Sequence, residues 1–112
     1  MSYNVIPTRK FEKELKRLTK KFPSLKQEFA ELIAELEVNP ECGTFIGNGC
    51  YKIRISIASK NKGKRGGARV VSHFFIHTKS VYLLTIYDKA EQEKLTESEL
   101  KEMIDSLNLR QK

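Results

Sequence analysis

Tyr51-Lys52-Ile53-Arg54-Ile55-Ser56-Ile57 is the stretch that decides the architecture. Its odd positions are apolar, and Lys52, Arg54 and Ser56 fall between them. Successive strand side chains point to opposite faces, so this period of two predicts a strand with an apolar side and a cationic side. Downstream, Ala58 to Gly67 is a Gly/Lys loop too polar to be core. Ala68 to Ile76 and Val81 to Tyr87 read as two more strands, with Lys79-Ser80 marking the turn between them. Three consecutive strands with short joints should pair antiparallel.

Upstream, the period changes. Phe11, Leu15, Leu18 and Phe22 recur at spacings of four, three and four, which is one face of a helix. Thr8 is its expected N-cap and Pro23 its stop. Leu25, Phe29, Leu32, Ile33 and Leu36 mark a second helix. Ser24 and Gln27 are expected to form its capping box, and Asn39-Pro40 ends it. So short a joint predicts an antiparallel helical hairpin. Tyr3 to Ile6 can open the chain as a short strand. At the far end, Thr96 and Glu99 form another capping box, ahead of a helix with Leu100, Met103, Ile104 and Leu107 on one face. The expected class is α+β: an N-terminal helical hairpin packed on a small antiparallel sheet with a mixed edge, followed by a C-terminal helix. With 112 residues, one domain spanning 1–112 is expected.

The net charge is +7, and its location is uneven. Residues 41–90 carry nine Lys/Arg against two Asp/Glu, whereas 91–112 carry four against six. From Lys52 to Arg69 there are seven cations and no anion. Such a block is an electrostatic footprint for a polyanion, and charge alone leaves RNA, DNA and acidic protein as candidates. The alternative is a solvated loop that aids solubility.

No apolar run approaches the roughly 18 residues that span a bilayer. The N-terminus lacks a basic-then-apolar signal pattern, so no membrane association and a cytoplasmic location are expected. Cys42 and Cys50 flank a turn-rich stretch, Gly43 to Gly49, and in a reducing compartment they read as free thiols. No CxxC or HxxxH spacing supports zinc, and no metal or cofactor is expected.

Three segments carry a family likeness. They are Tyr51-Lys52-Ile53-Arg54, Gly63-Lys64-Arg65-Gly66-Gly67-Ala68-Arg69-Val70-Val71, and Tyr82 through Tyr87-Asp88-Lys89-Ala90-Glu91-Gln92-Glu93. With the order of elements, they resemble the RelE/ParE superfamily, toxins of type II toxin–antitoxin systems, and most closely its RelE/HigB branch. The resemblance implies a sheet backed by two helices and a cleft on the open face. It also implies cleavage of mRNA on the ribosome and neutralisation by a cognate antitoxin. An antitoxin with an acidic segment, partly disordered when free, would suit the cationic face, and a helix-turn-helix protein is one form it takes.

Carried over residue by residue, the likeness places Arg69 in phosphate binding and transition-state stabilisation. Lys52 and Arg54 match the family's basic pair on the first long strand, and Lys89 its basic residue near the scissile phosphate. These four are the expected catalytic set. Lys60, Lys62, Lys64 and Arg65 are expected to contact RNA or ribosome backbone. Tyr87 could stack on the substrate, and His73, which shares the parity of Arg69, could line the cleft. A clustered set of cations permits metal-free chemistry, because neighbouring positive charge lowers a lysine's pKa while arginines remain charged on phosphate. The chain departs from the family at Leu95, where some members carry a tyrosine. Other readings are a ParE-like DNA gyrase poison, which does no RNA chemistry, and a toxin relic that only binds its antitoxin and co-represses the operon. Arg69 could also form a structural ion pair with Asp88 or Glu91.

Overall fold

The computed structural model describes residues 2–60, 66–92 and 94–111. Its elements are β1 (Asn4–Pro7), α1 (Arg9–Lys21), α2 (Leu25–Val38), β2 (Thr44–Gly47), β3 (Cys50–Ile55), β4 (Ala68–Phe75), β5 (Ser80–Asp88) and α3 (Glu97–Gln111). The strands form one sheet in the order β1-β5-β4-β3-β2. β3, β4 and β5 pair antiparallel as the alternation predicts, and β1 joins β5 in parallel, which makes the edge mixed.

The hydrophobic effect sorts the two sheet faces. Ile53 and Ile55 of β3, Val70 of β4, and Val81, Leu83 and Ile86 of β5 are buried against Phe11 and Leu18 of α1 and Leu25, Leu32 and Leu36 of α2. The apolar stripes read from the sequence therefore build the main core. α3 packs on the opposite face. There Leu100 and Leu107 cover Cys50, Val71, Leu84 and Tyr87. The face expected to be an open cleft is thus partly roofed by the last helix.

Helix ends follow local chemistry, with one exception. Thr8 caps α1 by accepting the Phe11 N–H at 3.2 Å, and its hydroxyl donates to the Leu83 carbonyl at 2.9 Å, tying the helix start to β5. Thr96 and Glu99 form the reciprocal box, with bonds of 3.0 and 3.1 Å. Ser24 makes no capping bond to α2, contrary to expectation. Its hydroxyl accepts the Ser59 N–H and donates to Glu28, and the Ser24 N–H donates to Ser59 Oγ at 2.8 Å. A tertiary tie has taken the place of the local cap.

Two segments differ from the sequence reading. The stretch 43–49 contains β2, which pairs antiparallel with β3 through a turn at Gly47-Asn48-Gly49, all three residues with positive φ. β3 ends at Ile55, and Ala58–Lys60 form a 3₁₀ turn. A Cβ at Gly67 would overlap the Ile55 carbonyl oxygen, so glycine is required where the chain re-enters the sheet. No described helix is long and apolar enough to cross a membrane.

Candidate functional site

Register builds the site. Arg54 of β3 lies opposite Arg69 of β4, and Arg69 lies opposite Tyr87 of β5. Directly opposed residues have Cβ atoms about 4.5–5.5 Å apart, so this row sets two guanidiniums side by side on the face away from α1 and α2. The next row holds Lys52, Val71 and Thr85. Lys52 borders a cavity of about 140 Å³ that it shares with Ile46, Val71, Leu95, Thr96, Glu97 and Leu100, between β2, β3 and the start of α3. Leu95, which stands where some relatives carry tyrosine, is thus packing at the rim of this cavity.

Arg54 is exposed, whereas Arg69 is only 5% exposed. Burial lowers the Arg69 pKa from its ordinary value, the Arg54 charge lowers it further, and Tyr87 opposes both. The guanidinium remains charged, because an arginine's ordinary pKa lies far above neutral. Arg69 Nη1 donates to the Ala68 carbonyl at 3.1 Å, which fixes the side chain along the strand. Two carboxylates read from the sequence as possible partners of Arg69 bind other cations. Asp88 pairs with Lys60 and lies 4.0 Å from Lys21, and Glu91 binds Arg17 at 2.8 Å and Lys21 at 3.1 Å.

Lys89 follows β5 directly, and its N–H donates to the Gly67 carbonyl at 3.0 Å. That bond ties the end of β5 to the point where β4 begins, next to the Arg54–Arg69 row. Asp88 secures the same corner. Its side chain accepts the Ala90 N–H at 3.0 Å, and its carbonyl accepts those of Glu91 and Gln92 at 2.9 and 3.0 Å.

The remaining sequence candidates separate. Lys60 turns inward: its side chain is 8% exposed, its ammonium pairs with Asp88, and it sits 5.3 Å from the centre of the Phe22 ring. It anchors structure and is not presented to a backbone ligand. Lys62, Lys64 and Arg65 lie outside the described residues. Tyr87 is 4% exposed, with its ring in the cluster under α3, so it offers no face for stacking. Its hydroxyl is buried without a hydrogen-bond partner among the described residues, and burial raises its pKa. His73 shares the Arg69 face but lies four residues along β4, about 13 Å away at strand rise. Its Nδ1 is 3.5 Å from Cys50 Sγ, and burial lowers its pKa, which favours the neutral ring. The structure therefore brings together Arg54, Arg69 and Lys52, with Lys89 at the adjoining corner. Asp88 was expected only as a possible ion-pair partner of Arg69; its pairing with Lys60 was missed.

No family model matches the sequence. Solved structures do match. A free, mutant form of the RelE toxin of E. coli superposes with a TM-score of 0.60 at 17% identity, covering 83% of this chain and 90% of that one. The chain has the RelE toxin fold. The intact E. coli RelBE toxin–antitoxin complex gives a TM-score of 0.58 at 18% identity, covering 78% and 96% of the two chains. A RelBE complex from Mycobacterium tuberculosis gives 0.55 at 18% identity, covering 80% and 94%. In this RelE-fold chain, the Arg54–Arg69 row lies on the sheet face away from the helical hairpin.

Proposed function

We propose that this chain is the toxin of a type II toxin–antitoxin system and a metal-independent endoribonuclease that cleaves mRNA on the ribosome. The observation that carries this reading is the Arg54–Arg69 pair. Two cations are held in opposed register on the sheet face away from the helical hairpin, close enough for the Arg54 charge to act on Arg69. Apposed like charges cost stability, and a phosphate placed between them relieves that cost. Likeness to the fold of RelE and of RelBE complexes supports the toxin role and a cognate antitoxin.

In the proposed reaction the ribose 2′-oxygen attacks the adjacent phosphorus and the bond to the 5′-oxygen breaks. The products are a 2′,3′-cyclic phosphate and a free 5′-hydroxyl. Arg54 and Arg69 hold the non-bridging oxygens as negative charge grows on them. Lys52 and Lys89 flank the pair and serve proton transfer, one removing the 2′ proton and the other protonating the leaving oxygen. An antitoxin segment with acidic side chains silences the toxin by covering Lys52, Arg54 and Arg69. Engagement of about five phosphates on a single strand gives a log–log salt slope of roughly −3.5.

Expression without the antitoxin tests this reading. Growth arrest with new message ends inside translated codons is expected. An SOS response with intact messages would replace it with gyrase poisoning, and undisturbed growth would leave only a co-repressor role.

A further inference from the structure

The sheet is left open along part of β3. β2 covers β3 only as far as Lys52, which pairs with Thr44. Two glycines reveal which way the strand's backbone faces from there on. A Cβ on Gly43 would lie 2.5 Å from the Lys52 carbonyl oxygen, and a Cβ on Gly67 would strike the Ile55 carbonyl oxygen. The Lys52 carbonyl therefore faces β2, and the Ile55 carbonyl faces β4. Backbone groups alternate in direction along a strand, so the N–H and C=O of Arg54 point the same way as those of Lys52, past the end of β2. Among the described residues, nothing bonds them on that side. They open into a groove of about 570 Å³ between β3 and α2. Leu32, Ile53 and Ile55 form its buried floor, and Glu28, Glu31 and Glu35 line its helical wall.

Unpaired backbone groups on a strand edge are a template for a further strand, and the wall decides what that strand is. Glu28 is committed, since it accepts the Ala58 N–H at 2.7 Å. Glu31 and Glu35 are exposed, and among the described residues neither pairs with a cation. Four residues of helix rise about 6 Å, and alternate residues of a strand lie about 6.7 Å apart. Every second side chain of an added strand can therefore meet one of these two carboxylates. We propose that the open edge of β3 takes up an extended basic peptide as an added strand, with Lys or Arg at alternate positions set against Glu31 and Glu35. Charge selects this occupant. Phosphates and an acidic protein segment are repelled by the glutamates. A second copy of this chain would bring its own acidic wall to the same edge. Between its cations the peptide should carry small polar residues, because those side chains emerge on the face that bears Arg54. Arg54 thus serves two surfaces, its backbone the peptide and its side chain the row with Arg69. The inference does not depend on the nuclease reading, because strand edge and helical wall suffice to make the site.

The test uses the full chain and a short labelled peptide of alternating threonine and lysine. Binding is followed by anisotropy, and amide hydrogen exchange is read residue by residue. Glu31→Gln/Glu35→Gln should weaken binding about tenfold, the worth of two exposed charge pairs. Glutamine is a sound helix former, so circular dichroism should show an intact fold in this variant. N-methylation of one alternate set of peptide amides should abolish binding, and methylation of the other set should leave it unchanged, because only one set faces the strand edge. Exchange of the Arg54 amide should slow when the peptide binds, as its open N–H gains a partner. Equal binding by the parent and the double variant would overturn the proposal. So would equal loss from both methylation patterns, unchanged exchange at Arg54, or tighter binding of a threonine–glutamate peptide. Loss of RNA cleavage by the parent chain with the peptide results intact would refute the nuclease reading and leave this docking edge standing.

Discussion

Arg54 and Arg69 face one another across β3 and β4, one exposed and the other nearly buried. The arrangement sets stability against function. Opposed like charges on neighbouring strands destabilise by about 0.2–1 kcal/mol, and the same opposition makes an anion welcome. Arg54→Gln should therefore raise the denaturant midpoint slightly while cleavage falls about a hundredfold. Chemical unfolding and a cleavage assay on one preparation check both signs. A variant that is less stable and fully active would contradict this account of the pair.

Lys60 and Asp88 form the most buried ion pair described, with side chains 8% and 2% exposed. Removing one partner strands the other charge, at a cost of about 3–5 kcal/mol. Lys60→Met should lose that much in denaturant unfolding, and Lys60→Met/Asp88→Leu should recover most of it. An additive double variant, worse than either single one, would show the two groups to be uncoupled.

The two thiols should differ sharply in reactivity. Cys50 is buried beside His73, and burial pushes its pKa up to about 11, whereas Cys42 is half-buried and donates to Glu35 at 3.2 Å. A rise from the ordinary 9.0 to about 11 cuts the thiolate fraction at neutral pH about a hundredfold. One thiol per native chain should be alkylated readily, and the second only after unfolding. Rapid modification of both in the native state would contradict the packing of Cys50.

Acid should loosen the corner that holds Lys89. Arg17 and Lys21 keep Glu91 at about 2, below its ordinary 4.5. The folded pKa lies below the unfolded one, so the stability Glu91 contributes is complete above about 4.5 and drains away as the pH falls toward 2. Glu91→Gln should flatten the pH dependence of unfolding in that window. The effect is modest, because solvent screens these half-exposed groups. An unchanged acid limb would mean that the pair does not hold the turn.

Local patterns in the sequence carried the helices, the strand parity and two caps, because each depends on neighbours a few residues away. The alternation around Ile53 placed Lys52 and Arg54 on one face, and the structure keeps them there. Four-residue β2 was hidden, since Thr44-Phe45-Ile46-Gly47 has no alternation to read. Ser24 was read as a cap because its tie to Ser59, 35 residues away, leaves no local mark. Lys60 looked like a ligand-facing cation for the same reason: its partner lies 28 residues on. The burial of Tyr87 depends on where α3 lands, which its amphipathic pattern does not specify.

In the proposed function the Arg54–Arg69 row holds RNA for cleavage during translation. Primer extension on a message translated in a purified system, with the parent chain and Arg54→Gln side by side, measures this directly. New 5′ ends inside codons with the parent, reduced about a hundredfold in the variant, are the predicted result. Intact messages with the folded parent chain, or equal cutting by both proteins, would contradict it.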